Sequence, residues 1–378
     1  MKQRSARFDE AALPAAILTA LLTLAASPAA ALPLYASREG DVCQTCHVDP
    51  NGGGIRNEFG FSYEKNRHSA EPEERWASMT VKPKLNEWIT LGVDLRTMYV
   101  ASHVNGGSRT LETSTFFPME GQVNVAIMPH EHLTLVASQG LVVDVPGFPT
   151  SYVAREIYGM LEGLPGDAYV RVGRFRLPFG LRQDDHTSFV RSLDFLPYDS
   201  QKPDAGIEVG HVGSRLFQQI SFTNGTTPFS ERAQTLAAKI GFAGRAFQSG
   251  ISAFHRYSDD VNPSRYGRYG LYVSGTRGRA TVLAEAAAGT DGFLGVERNR
   301  EAMFAEGDYR LSRGVNVRAK FDYLDRDRDQ PGQWLRRWTG ELEWNPVPFT
   351  QARLSYRYND DSGGTVIQEY LAQLYFPF

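Results

Sequence analysis

Val366-Ile367-Gln368-Glu369-Tyr370-Leu371-Ala372-Gln373-Leu374-Tyr375-Phe376-Pro377-Phe378 ends the chain, and Tyr370, Ala372, Leu374, Phe376 and Phe378 share one parity. Residues two apart lie on the same face of a β-strand, so this is a strand with one apolar face, closed by Phe. That is the pattern by which outer-membrane barrels are recognised for insertion. The same alternation recurs upstream. Val315, Val317, Ala319, Phe321 and Tyr323 alternate with Asn316, Arg318, Lys320 and Asp322. Ile89, Leu91, Val93 and Leu95 alternate with Thr90, Gly92, Asp94 and Arg96, and Trp338, Gly340, Leu342 and Trp344 oppose Thr339, Glu341 and Glu343. A soluble sandwich also alternates, but seldom over so many strands. A transmembrane barrel is built from segments of about 10 alternating residues separated by turns.

The expected fold is all-β, an antiparallel transmembrane β-barrel of about 16 strands with a small N-terminal haem module. The strands fall near residues 88–100, 115–128, 131–144, 151–163, 167–177, 203–213, 215–224 and 232–243. The second half follows near 246–258, 265–276, 279–290, 299–312, 315–325, 334–345, 350–360 and 366–378. Short turns are expected at Pro129–Glu131, Leu164–Gly166, Gly213–Ser214, Gly244–Arg245, Arg277–Gly278, Arg313–Gly314 and Asn345–Phe349. The longest of the intervening loops runs from Pro178 to Lys202. Bacterial barrels keep short turns in the periplasm and long loops outside, so the N-terminal module and the C-terminus start on the periplasmic side. In the longest loop, Asp184, Asp185 and His186 allow a constriction or a cation site, but a polar loop folded over the mouth is the simpler expectation. The strand charges Asp94, Arg96, Arg171, Glu306, Asp308, Arg318, Lys320 and Asp322 are expected to wet a solvated lumen. His130-Glu131-His132 is too short a cluster for a metal centre.

Composition agrees with a barrel. Of 378 residues, 22 are Phe, 17 Tyr and 5 Trp, far too aromatic for a disordered chain. With 40 basic and 43 acidic residues the chain lacks the basic excess of a nucleic-acid binder. A mean hydropathy of −0.36 argues against helical spans but not against alternating strands. The one long apolar run, Ala11 to Ala31, follows Lys2, Arg4 and Arg7 and ends Ala29-Ala30-Ala31. Residues 1–31 therefore read as a secretory signal peptide, despite Asp9 and Glu10 in its basic region.

Both cysteines fall in Cys43-Gln44-Thr45-Cys46-His47. CxxCH is the attachment signature of c-type haem: two thiols add to the two vinyl groups, and the adjacent imidazole reaches the iron. A dithiol redox site would need a βαβ context, and a zinc site two more ligands. One covalent haem c is expected, held by Cys43, Cys46 and His47. For the opposite axial position His68 is the only other histidine in the segment, with Met79 the competing sulfur ligand and water or a remote residue left open. Residues 32–80 are thus assigned to a monohaem cytochrome c module, 81–87 to a linker and 88–378 to the barrel.

Leu34-Tyr35-Ala36, Arg38-Glu39-Gly40 and CQTCH, followed by a barrel ending in Phe378, resemble the fused monohaem cytochrome–porin family of iron-oxidising bacteria. Pro50, Gly52–Gly54, Arg56-Asn57 and Phe59-Gly60 are similar to haem segments attached to barrels in porin–cytochrome electron conduits. The architecture covers the mature chain; the specific motif covers only about residues 33 to 60. The resemblance implies electron passage across the outer membrane between an extracellular donor, Fe(II) in the best-known case, and a periplasmic c-type cytochrome. Whether the chain is itself an Fe(II)-oxidising enzyme stays open.

About 16 strands spaced about 4.8 Å and tilted about 40° give a diameter of roughly 32 Å and a lumen of about 20 Å. A module of about 50 residues has a radius of gyration near 10 Å, so it can plug such a lumen. Gln44, Thr45, Asn51 and Gly52–Gly54 are then expected near lumen charges such as Arg96, Arg318 or Glu341. Three readings remain: inward electron transfer, outward transfer to an external acceptor, and a solute porin with the module as plug or docking site.

Overall fold

The computed structural model describes residues 34–39, 42–71, 73–76, 82–106, 109–140, 154–183, 185, 187–192, 195–196, 203–213, 215–224, 233–244, 247–258, 264–293 and 295–378. The expected signal peptide, Met79, Asp184 and His186 lie outside the described residues.

The strands follow one another as β1 (Ile89–Gly106), β2 (Arg109–His130), β3 (Leu133–Gly140), β4 (Ala154–Leu164), β5 (Ala168–Phe175), β6 (Asp204–Val212), β7 (Leu216–Thr223) and β8 (Ala233–Gly244). They continue as β9 (Phe247–Ser258), β10 (Ser264–Arg277), β11 (Ala280–Phe293), β12 (Val296–Ser312), β13 (Val315–Asp325), β14 (Trp334–Trp344), β15 (Gln351–Asp361) and β16 (Val366–Pro377). Each pairs antiparallel with its chain neighbours, and β1 pairs with β16 to close a barrel of 16 strands. Closure leaves no unpaired strand edge, the condition for crossing hydrocarbon.

The alternation points as the sequence requires. Val315, Val317, Ala319, Phe321 and Tyr323 face outward, while Asn316, Lys320 and Asp322 are buried inside. Leu271, Ile251, Ile240, Ile220 and Val209 belong to an exposed outer band that runs from strand to strand. An apolar surface this extensive is fitted to lipid and not to water. The first hairpin is longer than expected, because β1 and β2 stay paired to Gly106 and Arg109. Its distal part carries Ser102, His103, Asn105, Glu112 and Thr113 on both faces, which erases the apolar alternation although the backbone ladder continues. The register shifts between Arg96 and Thr97, opposite Pro118, where a residue without an N–H belongs at a bulge.

The lumen differs from the expectation of a solvated, charge-lined interior. The segment after β5 turns inward and fills it, with Phe179, Leu181, Val190, Phe195 and Leu196 packing on Phe217, Phe254, Tyr272, Leu283 and Phe304 of the inner wall. Strand charges pair beneath this cover. Arg191 meets Glu285 at 2.6 Å, and Lys320 lies 2.7 Å from Asp185 and 3.4 Å from Asp322. Arg318 meets Glu306, Asp308 and Glu341 at 3.2, 2.9 and 2.7 Å. The loop is therefore an internal constriction and not a cover over the mouth, since its apolar side chains gain burial only inside. Phe378 departs as well: its ring packs against Phe61 and Phe349 at centroid distances of 5.5 and 5.4 Å, tying the C-terminus to the N-terminal segment.

Two outcomes follow. Leu271→Arg places a charge mid-strand on the outer band, between Ile251 and Ala286. It is expected to lower barrel stability by about 2–4 kcal/mol, read by denaturant titration of folding into phospholipid vesicles. Asp185 belongs to the inward loop; burial pushes its carboxyl up, but Lys320, Arg357 and Arg337 outweigh this and hold it well below the usual range. A carboxyl depressed by folding contributes fully above its unfolded value near 4 and loses that contribution as pH falls through its lower folded value. The loop should stay seated at pH 5 and loosen only in stronger acid. Asp185→Asn should show at pH 7 the proteolytic sensitivity of the loop that the parent protein shows only in that acid.

Candidate functional site

The N-terminal segment enters the barrel at the end carrying the short turns. Helix α1 (Leu34–Glu39) lies against β10 and β11, with Ser37 Oγ 2.8 Å from Ser274 Oγ. Tyr35 OH donates to Glu343 Oε1 at 2.7 Å. Cys43–Thr45 then forms one tight turn, in which the N–H groups of Cys46 and His47 donate to Cys43 O at 3.1 and 3.0 Å. Asn57 clamps that turn. Its Nδ2 donates to Gln44 O and Thr45 O, both at 3.0 Å, while its Oδ1 accepts from Gly60 N and so caps helix α2 (Glu58–Tyr63). A Cβ at Gly60 would overlap the Cys46 carbonyl, so glycine alone lets α2 touch the CQTCH turn. Gly52, Gly53 and Gly54 run at φ +81, +68 and +61°. They bring the backbone within van der Waals reach of Cys43 Sγ on one side and the Arg182 guanidinium on the other.

Ion pairs hold this segment to the wall. Asp49 lies 3.1 Å from Arg171 of β5 and 3.1 Å from Arg182 of the inward loop, and Arg171 in turn lies 2.8 Å from Glu208. Burial pushes the Asp49 carboxyl up, but the two arginines outweigh it and keep it below its usual range. Gln44 Nε2 donates to Glu162 at 2.9 Å, and Arg56 Nη1 donates to Pro377 O at 3.1 Å. The neighbours are thus Glu162, Arg171, Arg182 and, beside Gly54, Glu156, in place of the expected Arg96, Arg318 and Glu341. The reason is position: the stretch from Gln44 to Ile55 leans on β4 to β6, while the Arg318 cluster on β12 to β15 meets the segment at Tyr35, through Glu343. Ile55 packs with Tyr158, Met160, Tyr169 and Phe175 on that same wall.

Cys43, Cys46 and His47 come together in one turn, and no disulfide joins the two thiols. Burial, with Arg56 and Arg182 nearby, pushes the His47 imidazole down to about 3, so it is neutral, the form a metal binds. His68 closes a wider π turn, Glu64–His68, that continues α2. Its Nδ1 is 2.7 Å from Glu64 Oε2, and Arg56, which bridges to the His47 backbone, lies 4.0 Å from the same oxygen. That chain of contacts joins His68 to the CQTCH turn. His68 Nε2 and His47 Nδ1 are buried with no hydrogen-bond partner. A carboxylate on one ring nitrogen with the other left bare is the arrangement that orients a metal-binding imidazole. Two thiols at CxxC spacing, two imidazoles each with a bare buried nitrogen and a glycine cradle fit a c-type haem. Asp49, Glu64 and Arg182 were not singled out in the sequence, and Asn57 entered only through the resemblance. The i,i+4 spacing of Glu64 and His68 and the helix-capping position of Asn57 were visible there; the Arg182 contact, 133 residues from Asp49, was not.

No protein-family model matches the chain, and no curated protein matches it. Solved structures do resemble it. The anion-selective porin from Comamonas acidovorans superposes with a TM-score of 0.61 at 9% identity, covering 77% of this chain and 100% of that one. Outer-membrane expressed OmpT of Vibrio cholerae gives 0.61 at 8% identity, over 79% and 100%. The outer membrane channel DcaP of Acinetobacter baumannii gives 0.58 at 10%, over 77% and 97%. These likenesses establish a porin-type barrel fold.

Asp49→Ala leaves Arg171 and Arg182 without their shared buried partner. Removing one member of a buried pair costs roughly 3–5 kcal/mol. The expected readout is faster proteolysis of residues 42–71 and new ion conductance in planar bilayers, with the barrel itself still inserted.

Proposed function

We propose that the chain is an outer-membrane electron-transfer protein, in which Cys43 and Cys46 would hold one haem covalently and His47 and His68 would hold its iron. The bound haem supplies reversible one-electron chemistry. The protein's own part is to hold the His47 imidazole neutral and to fix His68 through Glu64. The observation that carries this reading is the seat of the CQTCH segment within the barrel, locked by Asp49 between Arg171 and Arg182. The apolar band of such a barrel is about 25 Å tall, so a redox centre hanging below it would be out of reach of an external donor. A centre inside it is not. The donor is an extracellular reductant, Fe(II) by the resemblance of the CQTCH segment, and the acceptor a periplasmic c-type cytochrome.

A second reading has its own support. The porin-type fold, shared with an anion-selective porin, suits solute diffusion with the segment as a plug. Liposomes containing the purified protein, with ferricytochrome c trapped inside and Fe(II) offered only outside, separate the two. Electron transfer requires reduction of the trapped cytochrome without sugar leakage. Free sugar flux with no reduction would establish the porin.

Cys43→Ala with Cys46→Ala should abolish covalent haem stain on a denaturing gel yet leave membrane insertion intact. His68→Ala should keep the stain but convert the spectrum to high spin and open the iron to imidazole or CO. An unchanged low-spin spectrum would move the sixth ligand elsewhere.

A further inference from the structure

A second feature lies at the short-turn mouth. Between the N-terminal segment and the β10–β11 and β12–β13 turns there is a cavity of about 430 Å³. Arg38, Arg67, Arg279, Arg310 and Arg313 line it, and Glu39 is the one carboxylate among the lining residues. Arg67 pairs with Glu39 at 2.9 Å. Arg313 donates to the carbonyls of Ser69 and Asn66, both at 2.7 Å, and Arg279 to Leu311 O at 3.0 Å. Carbonyls satisfy hydrogen bonds but cancel no charge, so the wall keeps a strong positive excess. Arg38 Nη2 is buried with no hydrogen-bond partner. A walled cluster of guanidinium groups with a bare donor is a seat for carboxylates, which arginine meets with paired, charge-assisted hydrogen bonds.

His68 lines the same cavity, as do Tyr35 and Tyr63. A haem held by His68 would border these arginines. Haem carries its thioether carbons on one half of the ring and its two propionates on the other. Here the two halves have different surroundings. Cys43 packs on the lumen core and lies near Lys239 and Tyr272, well inside β8 and β10. Three of the arginines belong to or flank the turns at the strand ends. Covalent attachment at Cys43, inside the lumen, would leave the acidic edge of a bound haem toward the mouth.

We propose that the arginine cavity seats the two propionate carboxylates of the haem and turns that edge toward the periplasm, where a soluble electron carrier reaches it. This rests on the haem reading above, and it adds the orientation of the ring and the residues that set it. Positive charge beside the propionates favours the reduced, electron-rich haem and keeps both carboxylates ionised across neutral pH.

The test uses full-length holoprotein and its Arg38→Gln, Arg310→Gln and double variants, with Arg38→Lys as the charge-conserving control. Neither Arg38 nor Arg310 supports a backbone carbonyl of the segment as Arg313 does. Covalent haem content and the midpoint potential against pH are measured together. The expected result is unchanged haem content, a lower potential in each Gln variant with the largest shift in the double, and a new pH dependence near neutrality as a propionate begins to titrate. Arg38→Lys should restore most of the parent potential. Full haem content with an unchanged potential and pH profile overturns the propionate seat and leaves the electron-transfer reading standing. The same null result with weakened, salt-sensitive binding of ferredoxin would give the arginines to an acidic partner and also overturn it. A parent protein that attaches no haem overturns both.

Discussion

Every backbone N–H and C=O that meets hydrocarbon must be paired within the protein, and the rest of this structure follows from that demand. It is met where the first strand finds the last: β1 and β16 pair from Asp94 opposite Pro377 to Asn105 opposite Val366. Closing 16 strands removes every edge, but it also encloses a lumen too wide for the wall's own side chains to fill. Such an interior either admits water or is packed with chain from elsewhere. Here the protein packs it from both directions, with its N-terminal segment from the short-turn end and the loop after β5 from the other.

The two inserts are chemically different and meet at one place. The loop brings an apolar surface to the wall, where Phe179, Leu181, Val190 and Phe195 lie among Phe217, Phe254 and Phe304. The N-terminal segment brings glycines and two buried acids, Asp49 and Glu64. Arg182 of the loop touches both, pairing with Asp49 and covering the backbone at Gly53. A buried charge so placed is costly to leave alone, so each insert specifies the seat of the other.

Within the segment, small local devices fix the chemistry. Asn57 secures the CQTCH turn and starts α2 with the same side chain. The π turn at its end swings His68 inward, and Glu64 holds one ring nitrogen so that the other faces outward from the pair. Phe378 closes the unit by stacking on Phe61 and Phe349, so the residue that ends the barrel also helps retain its plug.

The sequence by itself determined the strands, their number and their facing, because lipid and lumen make opposite demands on alternate residues and each demand is local. It likewise marked Cys43, Cys46 and His47 as neighbours, and the fold keeps them in one turn. It misjudged the distal half of the first hairpin, where polar residues on both faces hide a ladder that only backbone pairing reveals. Tertiary structure alone decided that the lumen charges are paired and covered, that the loop after β5 packs inside the barrel, and that Asp49 rests between Arg171 and Arg182. Asp49 and Arg182 stand 133 positions apart, and Leu181 and Glu285 stand 104 apart. Periodicity reports which way a side chain points, but not what stands across the lumen to meet it, and that is set only when the barrel closes and its two inserts are brought face to face.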